Sequence, residues 1–387
     1  MDETIKEVPA DSEAQVQQTQ QVQQPARLDL AEQLASRRGE KHVVVLQDFP
    51  DPDAIACGFA HQIISRAFEI QTTLVHGGRI SHQQNIALVK LLGIELMQYD
   101  TSLDLTQFAG AVFLDNQGTT VGTIIDDLEK SKVPSLIVID HHEPQGRLEP
   151  LFKDIRPKIG STSSIYAQYL QNGIIEMKPS DKTHTLMATA LTHGIITDTN
   201  GFVYARDEDF QAAAFLSRYR DADILAQIMN QARSKQTMKV IHKALGSRKI
   251  IESFSLSGVG YLRADDRDAI PQAADFLLTE ENVHTAIVFG IVTGENWEEA
   301  IVGSMRTNRI TIDPDQFIKE VFGKDASGHY FGGGKMSAGG FHVPMGFLAG
   351  GEGGDYQERK WNLFDEKITQ KVCAKIGAKH GKDDSKT

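Results

Sequence analysis

From His42 onward the chain alternates short apolar runs with longer amphipathic stretches, a pattern that predicts successive βαβ units. Each apolar run is the length of one buried strand, and each following stretch repeats apolar residues at helical spacing. We therefore predict an α/β fold with a mostly parallel sheet, followed by a second, smaller α/β domain. Predicted strands are 42–46, 72–76, 111–114, 136–139, 255–262, 285–293 and 301–306, and predicted helices include 54–68, 81–92, 121–132, 161–171 and 185–197.

Shifts in composition divide the 387 residues into five segments. Residues 1–37, with a Gln-rich run at 15–24, are predicted to be a disordered tail because they hold too few apolar residues to offset the entropy of ordering. Residues 38–228 form the predicted first domain, 229–252 a helical linker, 253–350 the second domain, and 351–387 a C-terminal helix and tail.

Charge and cysteine content narrow the class of protein. The net charge of −12 argues against a broad, non-specific hold on DNA or on an anionic membrane. Two cysteines cannot build a disulfide framework, so we expect a reducing compartment. The beginning of the chain lacks the pattern of a signal peptide, and no apolar run approaches the ~20 residues that span a bilayer. A cytoplasmic location is the resulting expectation.

Acidic residues follow the predicted strands of the first domain. Asp140-His141-His142 comes directly after the apolar run 135–139, and the other acidic residues at such places are Asp51, Asp53, Asp115 and Asp198, the last after Ile195–Thr197. Right-handed crossovers bring the carboxyl ends of parallel strands to one edge of a sheet, where α/β proteins bind ligands. The alternative is that each aspartate only caps the helix that follows it.

Carboxylate oxygens with a few imidazoles suit Mn²⁺ or Mg²⁺ better than a thiolate type of zinc site. In this hypothesis Asp51 and Asp53 point into one cavity, Asp115 bridges two ions, His141 supplies a nitrogen ligand, and Asp198 completes the second ion's ligands. Two such ions can activate water and neutralise the attacking and leaving oxygens of phosphoryl transfer.

Asp140 and His142, which flank His141 in the Asp140-His141-His142 sequence, are candidate catalytic groups. Asp140 is expected to orient its neighbours or to ligate from the water side. His142 is expected to donate to a phosphate oxygen or to protonate the leaving oxygen. The alternative for His142 is a histidine that only orients its neighbour.

Several further residues are candidates for binding an anionic substrate. Arg306 and Ser304 lie on a predicted strand, and a glycine-rich turn of Gly332, Gly333 and Gly334 precedes Lys335. Glycines let backbone N–H groups approach an anion, and arginine binds phosphate with two parallel hydrogen bonds. A flexible turn is the alternative for the glycines.

Two candidates of the first domain also have ordinary structural alternatives. Ser161 opens a Ser/Thr cluster that could present a helix N-terminus to phosphate, or it could be a plain helix cap. Asn85, near the start of a predicted helix, could face a substrate cleft or the solvent.

Together these motifs resemble the DHH/DHHA1 phosphoesterases. Pro50–Ala54 is similar to the first motif of that family, Asp115 to the second, Asp140-His141-His142 to the third, and Thr197-Asp198-Thr199 to the fourth. Ser304–Arg306 and Gly332–Gly340 resemble the strand and glycine-rich loop of the DHHA1 domain. The resemblance covers about residues 40–350 and is strongest to the compact NrnA-like members.

The resemblance implies two lobes with the active-site cleft between them and Mn²⁺ as the usual metal. It also implies a first ion held by the position of Gln47, with Asp51 and Asp115, and a second held by Asp53, Asp115, His141 and Asp198. The family usually has histidine at the position of Gln47, and an amide is a weaker ligand than imidazole. It often has histidine at the position of Lys335, whose fixed charge does not relay protons near neutral pH.

The expected function is hydrolysis of small nucleotides by a metal-dependent phosphoesterase. The substrates implied by the resemblance are short single-stranded oligoribonucleotides, linear or cyclic dinucleotides, and 3′-phosphoadenosine 5′-phosphate. Neither a membrane nor long duplex DNA is expected as a partner. The sequence allows either a monomer or a homodimer. The alternatives are a polyphosphate or pyrophosphate hydrolase, and a nucleotide-binding regulator whose first metal site is weakened by Gln47.

Overall fold

The computed structural model describes residues 26–80, 82–294, 298–335, 337–351 and 353–378. These residues form two compact units, 26–80 with 88–229 and 82–87 with 230–378. The Gln-rich run, predicted to be disordered, and the last nine residues, predicted to belong to a C-terminal tail, lie outside the described residues. No helix among the described residues is long and apolar enough to cross a membrane.

The first unit is built on a six-stranded parallel sheet, which confirms the predicted mostly parallel sheet. Its strand order is β3-β2-β1-β4-β5-β6. The strands are β1 Lys41–Val45, β2 Gln71–His76, β3 Leu96–Gln98, β4 Gly110–Leu114, β5 Ser135–Asp140 and β6 Phe152–Ile155. The helices are α1 Ala26–Ala35, α2 Pro52–Ala67, α3 Gln83–Leu92, α4 Gly122–Lys130, α5 Thr162–Gln171, α6 Lys182–Asp198, α7 Asp207–Leu216 and α8 Ala222–Met229, with the start of α3 assigned to the second unit.

The parallel sheet has a hydrophobic core on each face because side chains alternate along every strand. Val44 of β1 faces the core that includes α2, α5 and α6, whereas Val43 and Val45 face the core that includes α4. Burial on both faces explains why these strands are continuous apolar runs in the sequence.

Helix α1 corrects the predicted extent of the disordered tail. Residues 26–35 are helical, and Leu30 and Leu34 are fully buried in the first unit's core. Their four-residue spacing brings both leucines to one face of the helix, which packs beside β6. The prediction of a tail through residue 37 was wrong here because the polar composition upstream outweighed this short apolar repeat.

The second unit contains a mixed six-stranded sheet in the order β11-β12-β10-β9-β8-β7. Its strands are β7 Lys249–Ile251, β8 Phe254–Arg263, β9 Thr285–Thr293, β10 Glu299–Thr307, β11 Gly332–Lys335 and β12 Ala338–Pro344, and its helices are α9 Lys235–Ser247, α10 Ala269–Leu277, α11 Pro314–Phe322 and α12 Gly354–Ile376. Only β8 and β9 pair in parallel. The predicted linker therefore supplies α9 and an edge strand, β7, to this unit.

Candidate metal centre

The sheet of the first unit reverses its strand order between β1 and β4, which lie side by side. The crevice at such a reversal, outside the carboxyl ends of the strands, is where open α/β sheets bind ligands. Gln47 and Asp51 follow β1, and Asp115 follows β4. Asp140 ends β5, the next strand along. The sheet topology therefore places these predicted site residues around one crevice.

Asp51 and Asp53 occupy the first turn of α2 and have different surroundings. Asp51 is the N-cap, and its Oδ1 accepts from the backbone N–H of Ala54 at 2.9 Å. The carboxylate of Asp53 is fully buried and meets the N-terminus of α5, where it accepts from the backbone N–H groups of Thr162 at 2.7 Å and Ser163 at 2.8 Å. The capping alternative therefore describes one function of Asp51 but does not account for Asp53.

Asp115 lies between two hydrogen-bond donors in a constrained backbone conformation. Its φ of 56° is in the left-handed region, which aspartate tolerates better than most side chains. Oδ1 accepts from the hydroxyl of Thr162 at 2.8 Å, and Oδ2 accepts from the side-chain amide of Gln47 at 3.3 Å. A non-glycine residue in this conformation beside buried polar groups is typical of functional sites.

His141 lies among the carboxylates. Its Nε2 is 2.9 Å from Oδ2 of Asp198 and 3.6 Å from Oδ1 of Asp115, and its Nδ1 is 3.3 Å from the carbonyl oxygen of Ile159. A hydrogen bond from Nδ1 to that carbonyl fixes the tautomer in which Nε2 is free to bind a metal. Burial lowers the pKa of His141, but Asp198 and Asp53 outweigh it and raise the pKa to about 9.

Asp140 and His142 form a pair beside this cluster. Oδ1 of Asp140 is 2.8 Å from Nδ1 of His142, and its Oδ2 accepts from the amide of Gln117 at 2.7 Å. Burial raises the pKa of Asp140, yet its hydrogen bonds with His142 and Gln117 outweigh this and lower the pKa overall. Asp140 is thus held as a carboxylate that orients the His142 ring, which agrees with the orienting function expected for it.

Like charges crowd the centre. Burial and the charge of Asp53 raise the pKa of Asp51, and burial with the charges of Asp51 and Asp53 raises the pKa of Asp115 well above its ordinary value. Burial and Asp198 raise the pKa of Asp53 to about 6. A divalent cation would relieve this repulsion.

The ligand atoms of this centre fit a divalent metal ion. Two overlapping groups, Asp53-His141-Asp198 and Asp115-His141-His142, each offer ligand atoms within 4.8 Å of one another. The donor set of carboxylate oxygens and imidazole nitrogens contains no thiolate, as hard divalent ions require. The structure therefore supports a metal centre but does not identify the metal.

Gln47 lies at the side of the centre formed by Asp51 and Asp115. Its amide nitrogen donates to Oδ2 of Asp51 at 3.1 Å and to Oδ2 of Asp115 at 3.3 Å. The amide thus links the two carboxylates that the resemblance assigns to a first ion, and it supplies no charge. An imidazole at this position would be a stronger metal ligand than the neutral amide of Gln47.

Asp198 reaches the centre from a helix rather than from the end of a strand. It is the last residue of α6, which begins at Lys182 and packs against α2. The helix predicted over 185–197 is confirmed, but the grouping of Asp198 with the strand ends was wrong, because this mostly buried helix continues through Asp198. The side chain nevertheless reaches His141, as the metal hypothesis expected.

Sequence reasoning missed three residues that hold the predicted ones. Thr162 and Ser163 donate to Asp53 and Asp115, and Gln117 donates to Asp140. Gln117 follows strand β4 in Asp-Asn-Gln, so its position beside the crevice was readable from the same pattern as Asp115. The donors from α5 belong to the Ser/Thr cluster that was predicted to cap a helix or bind an anion, but only the folded chain shows that Asp53 is their partner.

Two residues of the first domain that were predicted as substrate contacts have different outcomes. Ser161 is the N-cap of α5, is fully buried, and accepts from the backbone N–H of Ser164 at 3.1 Å. The N–H groups that follow it bind Asp53, so this helix start is occupied by the protein's own carboxylate, and the phosphate interpretation is corrected to a cap. Asn85 is buried on α3, which excludes the solvent-facing alternative.

The residues predicted on the second unit are placed on one sheet. Arg306 on β10 donates to Asp275 and to the hydroxyl of Ser304, each at 2.7 Å. Gly332, Gly333 and Gly334 are not a turn: with Lys335 they form edge strand β11, paired antiparallel to β12. A side chain at Gly332 or Gly334 would collide with backbone atoms of β12, so close strand packing explains these two glycines.

Comparison with known proteins identifies the fold. No protein-family model matches the chain. The crystal structure of an exopolyphosphatase-related protein from Bacteroides fragilis superposes with a TM-score of 0.65 and 18% identity, over 92% of this chain and 100% of that one. The chain has a fold of the DHH type. Its Asp140-His141-His142 sequence lies at the end of β5.

Two other similarities give no activity for this chain. Uncharacterized protein MJ1633 of Methanocaldococcus jannaschii is 33% identical over 333 residues, which cover 85% of this chain and 63% of the relative. The chain thus spans less than two thirds of that relative. A putative family II inorganic pyrophosphatase from Methanococcus jannaschii aligns with a TM-score of 0.41 and 17% identity, over 83% of this chain and 99% of that one.

Proposed function

We propose that the chain is a divalent-metal-dependent phosphoesterase that hydrolyses small nucleotides and uses Mn²⁺. The observation that carries the proposal is the position of His141 Nε2, 2.9 Å from Asp198 and 3.6 Å from Asp115 at the crevice where the sheet reverses. Buried like charges around an imidazole are costly unless a cation joins them, so a structural role alone is a poor explanation of this cluster.

The residues that would hold the metal are Asp53, Asp115, His141 and Asp198, with Asp51 and Gln47 at the side of a first ion. A bound divalent ion supplies a nucleophilic hydroxide at neutral pH and neutralises charge on phosphate oxygens. The protein's contribution is to keep the carboxylates in position before a substrate arrives. Backbone N–H groups hold Asp53, and the hydroxyl of Thr162 holds Asp115.

His142 is the proposed proton donor or phosphate contact. Asp140 accepts a hydrogen bond from Nδ1 of His142 and so orients this partly exposed ring. When both ring nitrogens carry a proton, Nε2 is the group that donates to a phosphate or leaving oxygen. Arg306, Ser304 and Lys335 are the proposed contacts of the substrate's terminal phosphate. Arg306 would exchange its hydrogen bond with Asp275 for one with the phosphate.

The substrate class is proposed from the motifs and the charge. The net charge of −12 disfavours long polyanions that need a broad basic surface, which leaves short oligoribonucleotides, dinucleotides and 3′-phosphoadenosine 5′-phosphate. We further propose that the protein acts in the cytoplasm without a membrane partner, as a monomer or a homodimer.

A substrate panel tests the proposal. The full chain with Mn²⁺ is incubated with a dinucleotide, a five-residue oligoribonucleotide, 3′-phosphoadenosine 5′-phosphate, pyrophosphate and polyphosphate. Release of a nucleoside monophosphate or of phosphate from a nucleotide, abolished in His141→Ala and retained in the exposed control Asp223→Asn, is the expected result. Turnover of polyphosphate or pyrophosphate alone would replace the nucleotide assignment.

A regulator is the second candidate, because the amide of Gln47 links two carboxylates of the centre. The regulator hypothesis predicts one tightly bound metal ion per chain and no turnover of any compound in the substrate panel. Metal content measured on the same preparation therefore separates a regulator from an enzyme that has lost its metal.

A further inference from the structure

We propose that Thr162 is a positioning residue that sets the distance between two metal ligands, Asp53 and Asp115. The inference rests on the proposed metal centre and concerns how that centre is built. Thr162 is the first residue of α5 and is fully buried. Its backbone N–H donates to Oδ2 of Asp53 at 2.7 Å, and its hydroxyl donates to Oδ1 of Asp115 at 2.8 Å.

One residue therefore joins ligands from two separate parts of the sheet edge. Asp53 lies in the first turn of α2, and Asp115 follows β4. The backbone contact depends only on the position of α5, but the contact with Asp115 depends on the Thr162 hydroxyl. A substitution that removes the hydroxyl therefore tests the contact with Asp115 and leaves the backbone contact with Asp53 in place.

The start of α5 is anchored independently of the metal centre. The hydroxyl of Ser164 donates to Asp209 at 2.6 Å, and Asp209 also accepts from the backbone N–H of Gly160 at 3.0 Å and of Arg206 at 2.7 Å. Asp209 is fully buried in the first turn of α7. Thr162 thus projects its donors from a helix start that a second helix holds in place.

Asp115 depends on this donor more than an ordinary aspartate would. Its backbone has a φ of 56°, a conformation that persists only where the surroundings determine it. Thr162 satisfies one carboxylate oxygen, and Gln47 satisfies the other. Loss of the hydroxyl would leave Oδ1 without this donor and free the carboxylate to turn away from the crevice.

Metal affinity with matched variants tests the inference. Mn²⁺ binding to the full chain is measured by titration calorimetry for wild type, Thr162→Val and Thr162→Ser. Loss of a residue that orients a ligand weakens metal binding about 10–100-fold, so we expect that loss in Thr162→Val. Thr162→Ser keeps the hydroxyl and should bind nearly as wild type does. Thr192→Val is the control, because the buried Thr192 hydroxyl donates only to the carbonyl oxygen of Ala188 in its own helix.

Each outcome decides between the inference and its rivals. Wild-type affinity in Thr162→Val overturns it, and so does an equal loss in Thr162→Ser, which would assign the effect to the methyl group. If Thr162→Val does not fold by circular dichroism, the smaller Thr162→Ala takes its place in the same comparison with Thr162→Ser. Wild-type protein that binds no Mn²⁺ would instead refute the proposed metal centre, which keeps the two failures distinct.

Discussion

Gly194 of α6 packs tightly against Ser163 and Asp53 at the proposed metal centre, and the variant Gly194→Ala tests whether this packing matters. A Cβ at Gly194 would lie 2.3 Å from Oγ of Ser163 and 2.8 Å from Oδ1 of Asp53. Ordinary van der Waals contacts begin near 3.4 Å, so the hydroxyl of Ser163 would have to move by about 1 Å. Because Ser163 and Asp53 are hydrogen-bonded, both are expected to move.

The magnitude follows from two opposing effects. Overpacking a buried site costs about 1–3 kcal/mol. Replacing glycine by alanine inside a helix contributes about 1 kcal/mol in the other direction. We therefore expect a net loss of roughly 0–2 kcal/mol in the free energy of unfolding. Metal affinity should also fall, by at least about tenfold, because the shift displaces a proposed ligand.

Urea unfolding and Mn²⁺ calorimetry measure the two effects separately. Gly246→Ala is the matched control, since Gly246 is an exposed glycine of helix α9 with open space around its Cβ position. The control should be stabilised by about 0.5–1 kcal/mol with unchanged metal affinity. Wild-type Mn²⁺ affinity in Gly194→Ala, or stabilisation equal to that of the control, would refute the reasoning from close packing.

Three other predictions concern single side chains. Gln47→His should raise the Mn²⁺ content per chain, measured by elemental analysis, because imidazole is the stronger ligand; unchanged content would count against a weakened first site. Burial lowers the pKa of His61 to about 3 from 6.5, so the unfolded chain binds more protons between these values and stability falls as the pH drops through this window. His61→Gln should flatten that dependence in urea unfolding, whereas the exposed control His329→Gln should not. Lys360→Met leaves the buried carboxylate of Glu299 unpaired and should cost about 3–5 kcal/mol, much of it recovered when Glu299→Leu is added; no recovery would contradict the pairing argument.

The parts of the fold that sequence patterns predicted are those decided by local periodicity. The strands beside the centre are short apolar runs ended by aspartate, and parallel pairing brings such ends to one edge whatever the rest of the chain does. Asp53, Asp115 and Asp140 could therefore be selected before the structure was known. Their chemical functions still stand as predictions, which the experiments above test.

The errors came where tertiary contacts outweigh a local pattern. Asp198 was grouped with the strand ends because β-branched residues precede it, yet these residues continue helix α6, which packs against α2. Gly332–Gly334 has the composition of a turn, but pairing with β12 makes it a strand. Leu30 and Leu34 are too few to predict a helix beside a polar run, although both reach the core.

The hydrogen bonds that hold the carboxylates were beyond sequence reasoning for a further physical reason. A helix start of Gly-Ser-Thr-Ser is equally suited to cap itself and to bind an external anion, because its free N–H groups are the same in both cases. Only the fold shows that the anion is Asp53, a residue more than a hundred positions away that receives two of those N–H groups. The consequence is functional: a carboxylate already held by a helix N-terminus needs no rearrangement to bind a cation. If the proposed centre binds a metal, α5 preorganises it, and weakening that helix start should lower metal affinity even when every proposed ligand is kept.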